Sequence, residues 1–337
     1  MTQASRIRLA LVGSGIFARD AHLPALKTLD DRFEIAAVYS RSRENAEALA
    51  RDIPGAPTIF TDLNAVLTTD TVDAVDILLP IEGLPSAVDT ALKAGKHVVS
   101  EKPITPDVAT GRRLLSEYQQ RQRQVWMVAE NWRYEAAYVK AASVVKDGVI
   151  GKPVVAHWAV HSGLTPENKY YGTPWRRSGT FPGGFLLDGG VHQIAAWRLI
   201  LGEIVSVAAF VRQVRADLPP ADTLTAALEF ESGLTATYTS TYAAEAPWTN
   251  WLHIVGESGA LRVDRGRLEV TTTDGTQSED FPESTGVRDE LLAFADAIQH
   301  GAPHRNSPQQ GLQDVAVIES ILRASESGSR VAVNRFA

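Results

Sequence analysis

Residues 6–18 read Arg-Ile-Arg-Leu-Ala-Leu-Val-Gly-Ser-Gly-Ile-Phe-Ala, and this stretch decides the fold of the first part of the chain. Its apolar run predicts a buried strand, and the Gly-x-Gly-x-x-Ala that follows predicts a sharp turn into a helix. Gly13 permits the tight turn, Gly15 lets a pyrophosphate approach the backbone, and the small Ala18 lets the helix pack closely on the strand. The pattern indicates the start of a dinucleotide-binding domain, although plain strand–turn–helix corners show it too.

The start of this helix offers free backbone N–H groups at Ile16 and Phe17, which suit phosphate oxygens. The second predicted strand ends near residue 39, where an NAD-specific site normally places an acidic residue for the ribose. This chain has Ser40 and Arg41 there instead. Hydroxyl and guanidinium groups suit a 2′-phosphate, because arginine makes charge-assisted hydrogen bonds to phosphate oxygens. We therefore predict NADP(H) in preference to NAD(H); the alternative is a solvated basic turn.

Strand and helix patterns alternate along the first 130 residues, which predicts βαβ units and a parallel sheet. Further strands are predicted over residues 58–60, 75–79, 98–100 and 125–129. Ligands of such sheets bind beyond the carboxyl ends of the strands. We therefore expect one crevice to be lined by the residues at or just after these ends: Gly13, Ser40, Pro80, Glu101 and Asn131.

The run Val98-Val99-Ser100-Glu101-Lys102-Pro103 ends a predicted buried strand with a lysine and a proline. An ammonium group next to an apolar run is costly unless it is paired or its pKa falls. Pro103 has no N–H to donate, so the strand must stop there. One interpretation is a strand end whose Lys102 simply reaches solvent. The convergence of strand ends favours the other, in which the lysine is delivered into the crevice.

After residue 130 the pattern changes to long stretches rich in valine, threonine and aromatic residues, which are typical of an antiparallel sheet. The predicted strands cover residues 154–161, 205–215, 224–230, 234–241 and 251–255. Late helices over 288–299 and 308–325 either pack on that sheet or return to the first domain. We predict an α/β protein in which residues 1–130 form a dinucleotide-binding domain and residues 131–337 form an α+β domain with a large, mostly antiparallel open sheet.

Residues 183–192, Gly-Gly-Phe-Leu-Leu-Asp-Gly-Gly-Val-His, contain the second group of candidate chemistry. Asp188 and His192 are four residues apart and share one face if they are helical. An acid beside an imidazole orients it and raises its basicity. The alternative is that Asp188 only caps a helix predicted over 190–201. Upstream lies a polar and aromatic loop that either covers a nucleotide or polyol or is an ordinary exposed loop; it contains Tyr170, Tyr171, Trp175 and Arg176.

The composition excludes several kinds of function. The chain of 337 residues has 33 basic and 40 acidic side chains, and its formal charge of −7 gives no general attraction to nucleic acid or to anionic membranes. It has no cysteine, which excludes disulfides, thiol nucleophiles and thiolate metal sites, and we predict no metal site. No apolar run approaches the length of a membrane span, so we expect a cytoplasmic protein.

These motifs resemble the glucose–fructose oxidoreductase/inositol dehydrogenase/MocA-type (Gfo/Idh/MocA) family over nearly the whole chain. The resemblance rests on Gly-Ser-Gly-Ile-Phe-Ala at 13–18, Ala-Gly-Lys-His-Val-Val-Ser-Glu-Lys-Pro at 94–103, Asp-Gly-Gly-Val-His at 188–192 and Gly-Glu-Ser-Gly-Ala-Leu at 256–261. The middle two are specific, whereas the first is common to nucleotide-binding folds. The resemblance implies a Rossmann domain and hydride transfer between a nicotinamide and a secondary alcohol or ketone of a sugar, polyol or related small molecule.

The resemblance also implies roles for single residues. Lys102 is expected to be the central proton donor or acceptor, His192 the second acid/base, and Asp188 a residue that positions substrate or His192. Glu101 is expected to contact the nicotinamide ribose, and the Lys102–Pro103 peptide to be cis. Further cofactor contacts are expected from the backbone of Leu79 and Pro80 and from Asn131, Trp175 and Arg176, and substrate contacts from Arg133 and Tyr171.

One departure from the family lies at residues 81–85, Ile-Glu-Gly-Leu-Pro, where members often carry Asn and, further on, His. The contacts that those polar side chains make are therefore not expected here. Many members associate through the open face of the second-domain sheet, which implies a homodimer or homotetramer.

Two other functions are compatible with the same fold. The first is a non-catalytic, dinucleotide-dependent sensor or regulator, against which stands the presence of Lys102, Asp188 and His192 together. The second is a glycoside hydrolase that recycles a bound NAD, against which stand Ser40 and Arg41 in place of an acidic ribose anchor.

Overall fold

The computed structural model describes residues 5–121, 124–244, 250–282 and 285–337. The chain forms two compact units. The first contains the chain up to Glu130 together with Val287–Leu312, and the second contains Asn131–Gly286 together with the chain from Gln313.

The first unit is built on a parallel sheet of six strands in the order β3-β2-β1-β4-β5-β6. This order is that of a doubly wound dinucleotide-binding fold, with the change of direction between β1 and β4. The strands in the middle of the sheet read as continuous apolar runs because helices cover both faces of such a sheet. The strands are β1 Ile7–Val12, β2 Phe33–Tyr39, β3 Thr58–Phe60, β4 Ala74–Ile77, β5 His97–Glu101 and β6 Trp126–Ala129.

The helices of the first unit begin at side-chain caps where the sequence provides them. Ser42 accepts a hydrogen bond from the N–H of Asn45, and Asp62 accepts one from Ala65, so that α2 and α3 start at fixed residues. The glycine loop leads into a short π-helix, Ala18–His22, before α1 begins with Pro24 in its first turn. The helices are α1 Leu23–Lys27, α2 Arg43–Ala50, α3 Leu63–Thr68, α4 Leu84–Lys93 and α5 Val108–Gln119.

The second unit is built on a sheet of nine strands in the order β14-β13-β12-β11-β7-β10-β9-β8-β15. All neighbouring pairs are antiparallel except β7 and β10, which run parallel. The predicted fold class is therefore confirmed. The strands are β7 Pro153–His161, β8 Ile204–Arg212, β9 Thr223–Phe230, β10 Thr235–Thr241, β11 Leu252–Gly256, β12 Gly259–Val263, β13 Arg267–Thr272, β14 Gly275–Asp280 and β15 Val331–Ala332.

One face of this sheet is buried and the other is exposed, as the alternation along its strands requires. Ala236 and Tyr238 of β10 are buried, whereas Thr235 and Thr237, which alternate with them, are exposed. Trp158 of β7 and Trp197 pack edge to face in the core of the unit, with ring centroids 5.5 Å apart. The helices of the chain from residue 131 onward are α6 Ala136–Lys146, α7 Phe185–Asp188, α8 Gly190–Leu201, α9 Gly286–His300 and α10 Pro308–Ser327, with short 3-10 helices at Asn131–Arg133 and Pro174–Arg177.

The segment Val287–Leu312 lies in the first unit. The predicted boundary places all of 131–337 in the second domain, although the return of the late helices to the first domain is one of the two alternatives that the sequence leaves open. Local packing gives the reason. Phe294 of α9 stacks on Phe33 with ring centroids 6.5 Å apart, and Asp296 pairs with Arg32 at 2.6 Å. Leu312 packs so closely on Gly111 of α5 that a Cβ there would lie 2.3 Å from its Cδ1.

Among the described residues, no helix combines the length and the apolarity that crossing a membrane requires.

Candidate functional site

The glycine loop has the geometry that close approach to a phosphate requires. Gly13 has a φ of +129°, and a Cβ at this position would lie 2.5 Å from the carbonyl oxygen of Leu78, so only glycine fits. Gly15 is exposed, and a Cβ there would meet nothing within 4 Å, which leaves space above its backbone. Ala18 is buried at the start of the π-helix. The loop therefore fits a dinucleotide pyrophosphate on the pattern that the sequence predicts.

The end of β2 presents the side chains predicted to bind a 2′-phosphate. Ser40 follows the strand directly and is half-buried, whereas Arg41 is exposed. Ser42 is used as the N-cap of α2, and Arg43 lies 3.7 Å from Glu47 one turn later in the helix. The turn thus has an exposed guanidinium beside a half-buried serine, a pair that suits phosphate oxygens.

The carboxyl ends of β4 and β5 lie side by side in the same sheet. Ile77 pairs with Ser100, so that Leu79 and Pro80 follow one strand where Glu101 and Lys102 end the next. All four residues are half-buried. The Lys102–Pro103 peptide is cis, as the resemblance implies. The sequence-predicted residues Gly13, Ser40, Leu79, Pro80, Glu101 and Lys102 therefore all lie at the carboxyl edge of the parallel sheet.

A buried histidine behind this edge escaped the sequence analysis. His22, at the end of the π-helix, places Nδ1 2.7 Å from Oδ2 of Asp76 and Nε2 3.2 Å from Oε1 of Glu101. His22 and Asp76 are both fully buried. The signal in the sequence is Asp76 itself, because a carboxylate inside the apolar strand Ala-Val-Asp-Ile needs a buried partner.

In the second unit, Asp188 and His192 lie on either side of the junction between α7 and α8. Asp188 is the last residue of α7 and is 6% exposed, and Gly189 occupies the N-cap position of α8 without a side-chain cap. Asp188 thus does not occupy the N-cap position of this helix. Its carboxylate instead accepts a hydrogen bond of 2.7 Å from Nε of Arg176.

The ring of His192 is held by stacking. It lies parallel to the indole of Trp132, with ring centroids 5.1 Å apart and an angle of 15° between the planes. On the same indole lies the guanidinium of Arg265, 5.6 Å from the ring centroid. Trp132 is not among the residues predicted from the sequence, although both of its neighbours, Asn131 and Arg133, are. The available signal was an aromatic residue three positions after the end of β6.

Both neighbours of Trp132 make their side-chain contacts within the second unit. Asn131 is buried and donates its amide to Oε1 of Glu135 at 3.2 Å. Arg133 is 3% exposed, and its Nη2 lies 2.6 Å from Oδ2 of Asp314. Asp314 also accepts from the buried Arg198 at 2.6 Å. Arg133 is thus part of a buried ionic cluster, which favours a structural role over the predicted substrate contact.

The loop before α7 combines stacked aromatic and basic side chains. The guanidinium of Arg176 lies 4.2 Å from the ring centroid of Trp175, and that of Arg177 lies 4.3 Å from the ring of Tyr171. The hydroxyl of Tyr171 donates to Asp217 at 2.8 Å. Trp175 and Tyr171 are half-buried and keep part of their rings accessible. Arg176 connects this loop to Asp188.

Family models match both units of the chain. The model described as "Oxidoreductase family, NAD-binding Rossmann fold" matches residues 7–129, and the GFO/IDH/MocA C-terminal domain matches residues 138–262. The chain belongs to the Gfo/Idh/MocA oxidoreductase family. Members of this family carry the NAD-binding domain that the glycine loop predicts, and the resemblance inferred from the motifs is confirmed.

Relatives within the Gfo/Idh/MocA family match along almost their whole length. The dehydrogenase FPY6 of Fusarium mangiferae is 32% identical over 98% of this chain and 99% of its own. D-xylose 1-dehydrogenase (NADP(+)) 2 of Haloferax volcanii is 28% identical over 92% of this chain and 94% of its own. The crystal structure of an oxidoreductase from Thermotoga maritima is 37% identical, with a TM-score of 0.91 over 97% of this chain and 98% of that one.

Proposed function

We propose that this chain is an NADP(H)-preferring dehydrogenase or reductase that acts on a secondary alcohol or ketone of a sugar, polyol or related small molecule. The proposal rests on two groups of polar side chains in this chain, which belongs to an oxidoreductase family. Glu101 ends β5 and Lys102 follows it at the carboxyl edge of the dinucleotide-binding sheet, and Asp188 and His192 lie at the α7–α8 junction.

The dinucleotide, when bound, accepts or supplies the hydride. In this proposal the backbone around Gly13 and Gly15 binds its pyrophosphate, and Ser40 and Arg41 bind the 2′-phosphate. Support comes from the exposed Arg41 at the end of β2 and from the NADP(+)-named relative of Haloferax volcanii. Glu101 binds the nicotinamide ribose through its carboxylate, and Leu79, Pro80, Asn131, Trp175 and Arg176 complete the proposed contacts.

Lys102 and His192 handle the proton. When a hydroxyl group is oxidised, one of them takes its proton, and when a ketone is reduced, one of them returns it. The stack on Trp132 fixes the plane of the His192 ring, and the Arg176–Asp188 pair keeps the Asp188 carboxylate in place. These fixed rings and ion pairs would orient a bound substrate rather than adapt to it.

The substrate class rests on the relative's name and on the aromatic loop. Haloferax volcanii D-xylose 1-dehydrogenase acts, by its name, on a sugar. Tyr171 and Trp175 offer flat apolar faces with basic groups beside them, which suits a polyhydroxylated ring. We propose a self-association of two or four copies through the exposed face of the nine-stranded sheet.

A titration of the purified protein tests the cofactor part of the proposal. Tryptophan fluorescence is followed during addition of NADPH and, separately, of NADH, for the wild type and for Arg41→Ala. We expect tighter binding of NADPH, and a loss of that preference in Arg41→Ala with NADH binding unchanged. Arg113→Ala, an exposed arginine on α5, serves as the control and should bind as the wild type does. Equal or tighter wild-type binding of NADH would contradict the proposed preference.

A further inference from the structure

His22 joins three parts of the first unit through one imidazole ring. It ends the π-helix that follows the glycine loop, and its ring meets that of Phe17 edge to face, with centroids 5.3 Å apart. Nδ1 lies 2.7 Å from Asp76 inside β4, and Nε2 lies 3.2 Å from Glu101 at the end of β5. The proposed pyrophosphate loop and the proposed ribose contact therefore touch the same side chain.

The surroundings of this ring are acidic. Asp76 reaches it from β4, Glu101 from β5, and Glu290 approaches from α9. Burial alone would lower the pKa of His22, but the carboxylates of Asp76 and Glu101 outweigh burial and raise its pKa well above the ordinary value. The imidazolium form is thus the cation that balances these carboxylates.

The contact also fixes which way the Glu101 carboxylate turns. Its Oε1 faces His22 and is buried, while the side chain as a whole retains 12% of its exposure. If the positive charge were lost, the Glu101 carboxylate would lose its electrostatic attraction to the ring and would rotate away from it.

Stability alone does not account for this arrangement. Buried ionic groups of this kind are often no more stabilising than well-packed apolar side chains of the same volume. A π-helical turn is frequently found at functional sites, and here it brings His22 behind the residue that precedes Lys102. A cluster placed at this position suits a role in the chemistry of the site.

We propose that His22 is a positioning residue, an imidazolium clamped by Asp76 that holds the Glu101 carboxylate turned toward the nicotinamide ribose. This inference rests on the proposed function, because the ribose contact of Glu101 belongs to it. The ring thereby couples the loop that binds the pyrophosphate to the strand end that carries Lys102.

The test compares NADPH binding and the KM for NADPH in His22→Gln, Glu101→Gln and the double variant. Each single change should weaken NADPH binding tenfold or more. The double variant should bind NADPH no more weakly than the single variant with the lower affinity, since the two residues act as one unit. His97→Gln, which removes a half-buried histidine from the opposite end of β5, is the matched control and should bind within twofold of the wild type.

A second measurement covers the case in which His22→Gln does not fold. Histidine NMR of the wild type, labelled with ¹³C and ¹⁵N, should show one imidazole whose pKa lies well above the ordinary histidine value, and Asp76→Asn should lower the pKa of that ring. The inference would be overturned if the wild type binds NADPH but the effects of the two single substitutions on binding are additive. It would also be overturned if every histidine of the wild type titrates at or below its ordinary pKa. Absence of NADPH binding by the wild type would instead overturn the proposed function beneath it.

Discussion

Lys102 is placed by backbone geometry rather than by a flexible loop. It follows β5 directly, and β5 is paired in register with β4 on one side and β6 on the other. Glu101 just before it is paired across to Ala129, so that the strand end cannot shift without breaking the sheet. A proton donor or acceptor held in this way meets a bound substrate in a fixed geometry, which is the main requirement for acid–base catalysis.

Lys102→Met should lower kcat by roughly 10²- to 10⁴-fold, the usual contribution of a positioned acid or base. The methionine keeps most of the side-chain volume but cannot carry a proton. Steady-state kinetics with an accepted sugar, together with NADPH titration, measure the effect, and NADPH binding should remain within a few-fold of the wild type.

The control for this substitution is Lys93→Met, which removes an exposed lysine paired with Asp89 on α4 and should leave the kinetics unchanged. A folded Lys102→Met protein that turns over at the wild-type rate would remove Lys102 from the proposed mechanism.

The polar residues near the strand ends show what the sequence can and cannot reveal at this scale. Asn131 and Arg133 follow β6 as predicted, yet Arg133 pairs with Asp314, which lies 181 positions away. No local sequence pattern indicates a partner that lies so far away in the chain. His22 was missed for the same reason, since its carboxylates lie 54 and 79 positions further along the chain. Local sequence locates a strand end well, but distant pairing decides which side chains remain available there.

At the scale of elements, α9 contributes an acid to the interior of the first unit. Glu290 is fully buried and accepts a hydrogen bond from the amide of Asn306 at 3.1 Å. Burial raises the pKa of Glu290 well above its ordinary value; the nearby His22 opposes this rise, and the carboxylates of Glu101, Glu130 and Asp76 add to it. Glu290 therefore keeps its proton to higher pH in the folded protein than in the unfolded chain.

The stability of the protein should consequently fall with rising pH through this group. The contribution is fully present below the unfolded pKa of about 4.3 and is lost between that pH and the raised folded pKa, by up to about 1.4 kcal/mol per pH unit. The Glu290→Gln variant has no titratable proton at this position. Its free energy of unfolding should therefore rise relative to that of the wild type as the pH increases over this range. Urea unfolding at a series of pH values measures the difference.

Glu47→Gln, a substitution of a half-exposed acid on α2, is the control and should show a difference from the wild type that does not grow with pH. A pH-independent difference for Glu290→Gln as well would mean that Glu290 ionises normally in the folded protein.

The sequence predicts best the strands and helices whose hydrophobic pattern is strong and regular. The apolar strands of the parallel sheet and the helix over 190–201 are found within a few residues of their predicted ends. Strands β12, β13 and β14 were not predicted: β12 is short and begins with glycine, the side chains of β13 and β14 are mostly polar, and β14 is exposed along its whole length. Pairing with neighbours, rather than an apolar face, makes β14 a strand.

At the scale of the whole chain, the exposed face of the nine-stranded sheet carries small or polar side chains with a few apolar ones. Thr237 of β10 lies between His157 of β7 and Ala227 of β9 along one row. Phe210 of β8 is 83% exposed, and Val255 of β11 is 41% exposed. Large exposed apolar side chains on such a surface are typical of a contact with another protein, and we propose that a second copy of the chain makes this contact.

Phe210→Asp should weaken this association, because it places a charge where the proposed interface buries a ring. Light scattering coupled to size exclusion should give two or four times the 36.5 kDa chain mass for the wild type and a lower mass for the variant. Val149→Asp changes an exposed valine that lies between α6 and β7, outside the sheet, and should retain the wild-type mass. A wild type that elutes as a single chain would contradict the proposed assembly.

The order of strands in the first unit follows from its sequence, because a glycine loop and alternating strands and helices allow few topologies. The return of Val287–Leu312 to that unit does not, since an amphipathic helix packs equally well on either sheet until tertiary contacts such as Phe294 on Phe33 are known. The family membership was predictable for a related reason: its motifs lie at strand ends and turns, where chemistry restricts the residue type.

Net hydride transfer between NADP(H) and a sugar-like substrate is tested by its stoichiometry. The protein is incubated with NADP⁺ and each member of a panel of sugars and polyols, and both reduced nicotinamide and consumed substrate are quantified. We expect an accepted substrate to yield one reduced nicotinamide for each molecule oxidised. Consumption of a glycoside without net reduction of nicotinamide, or tight NADPH binding with no consumption across the panel, would contradict it.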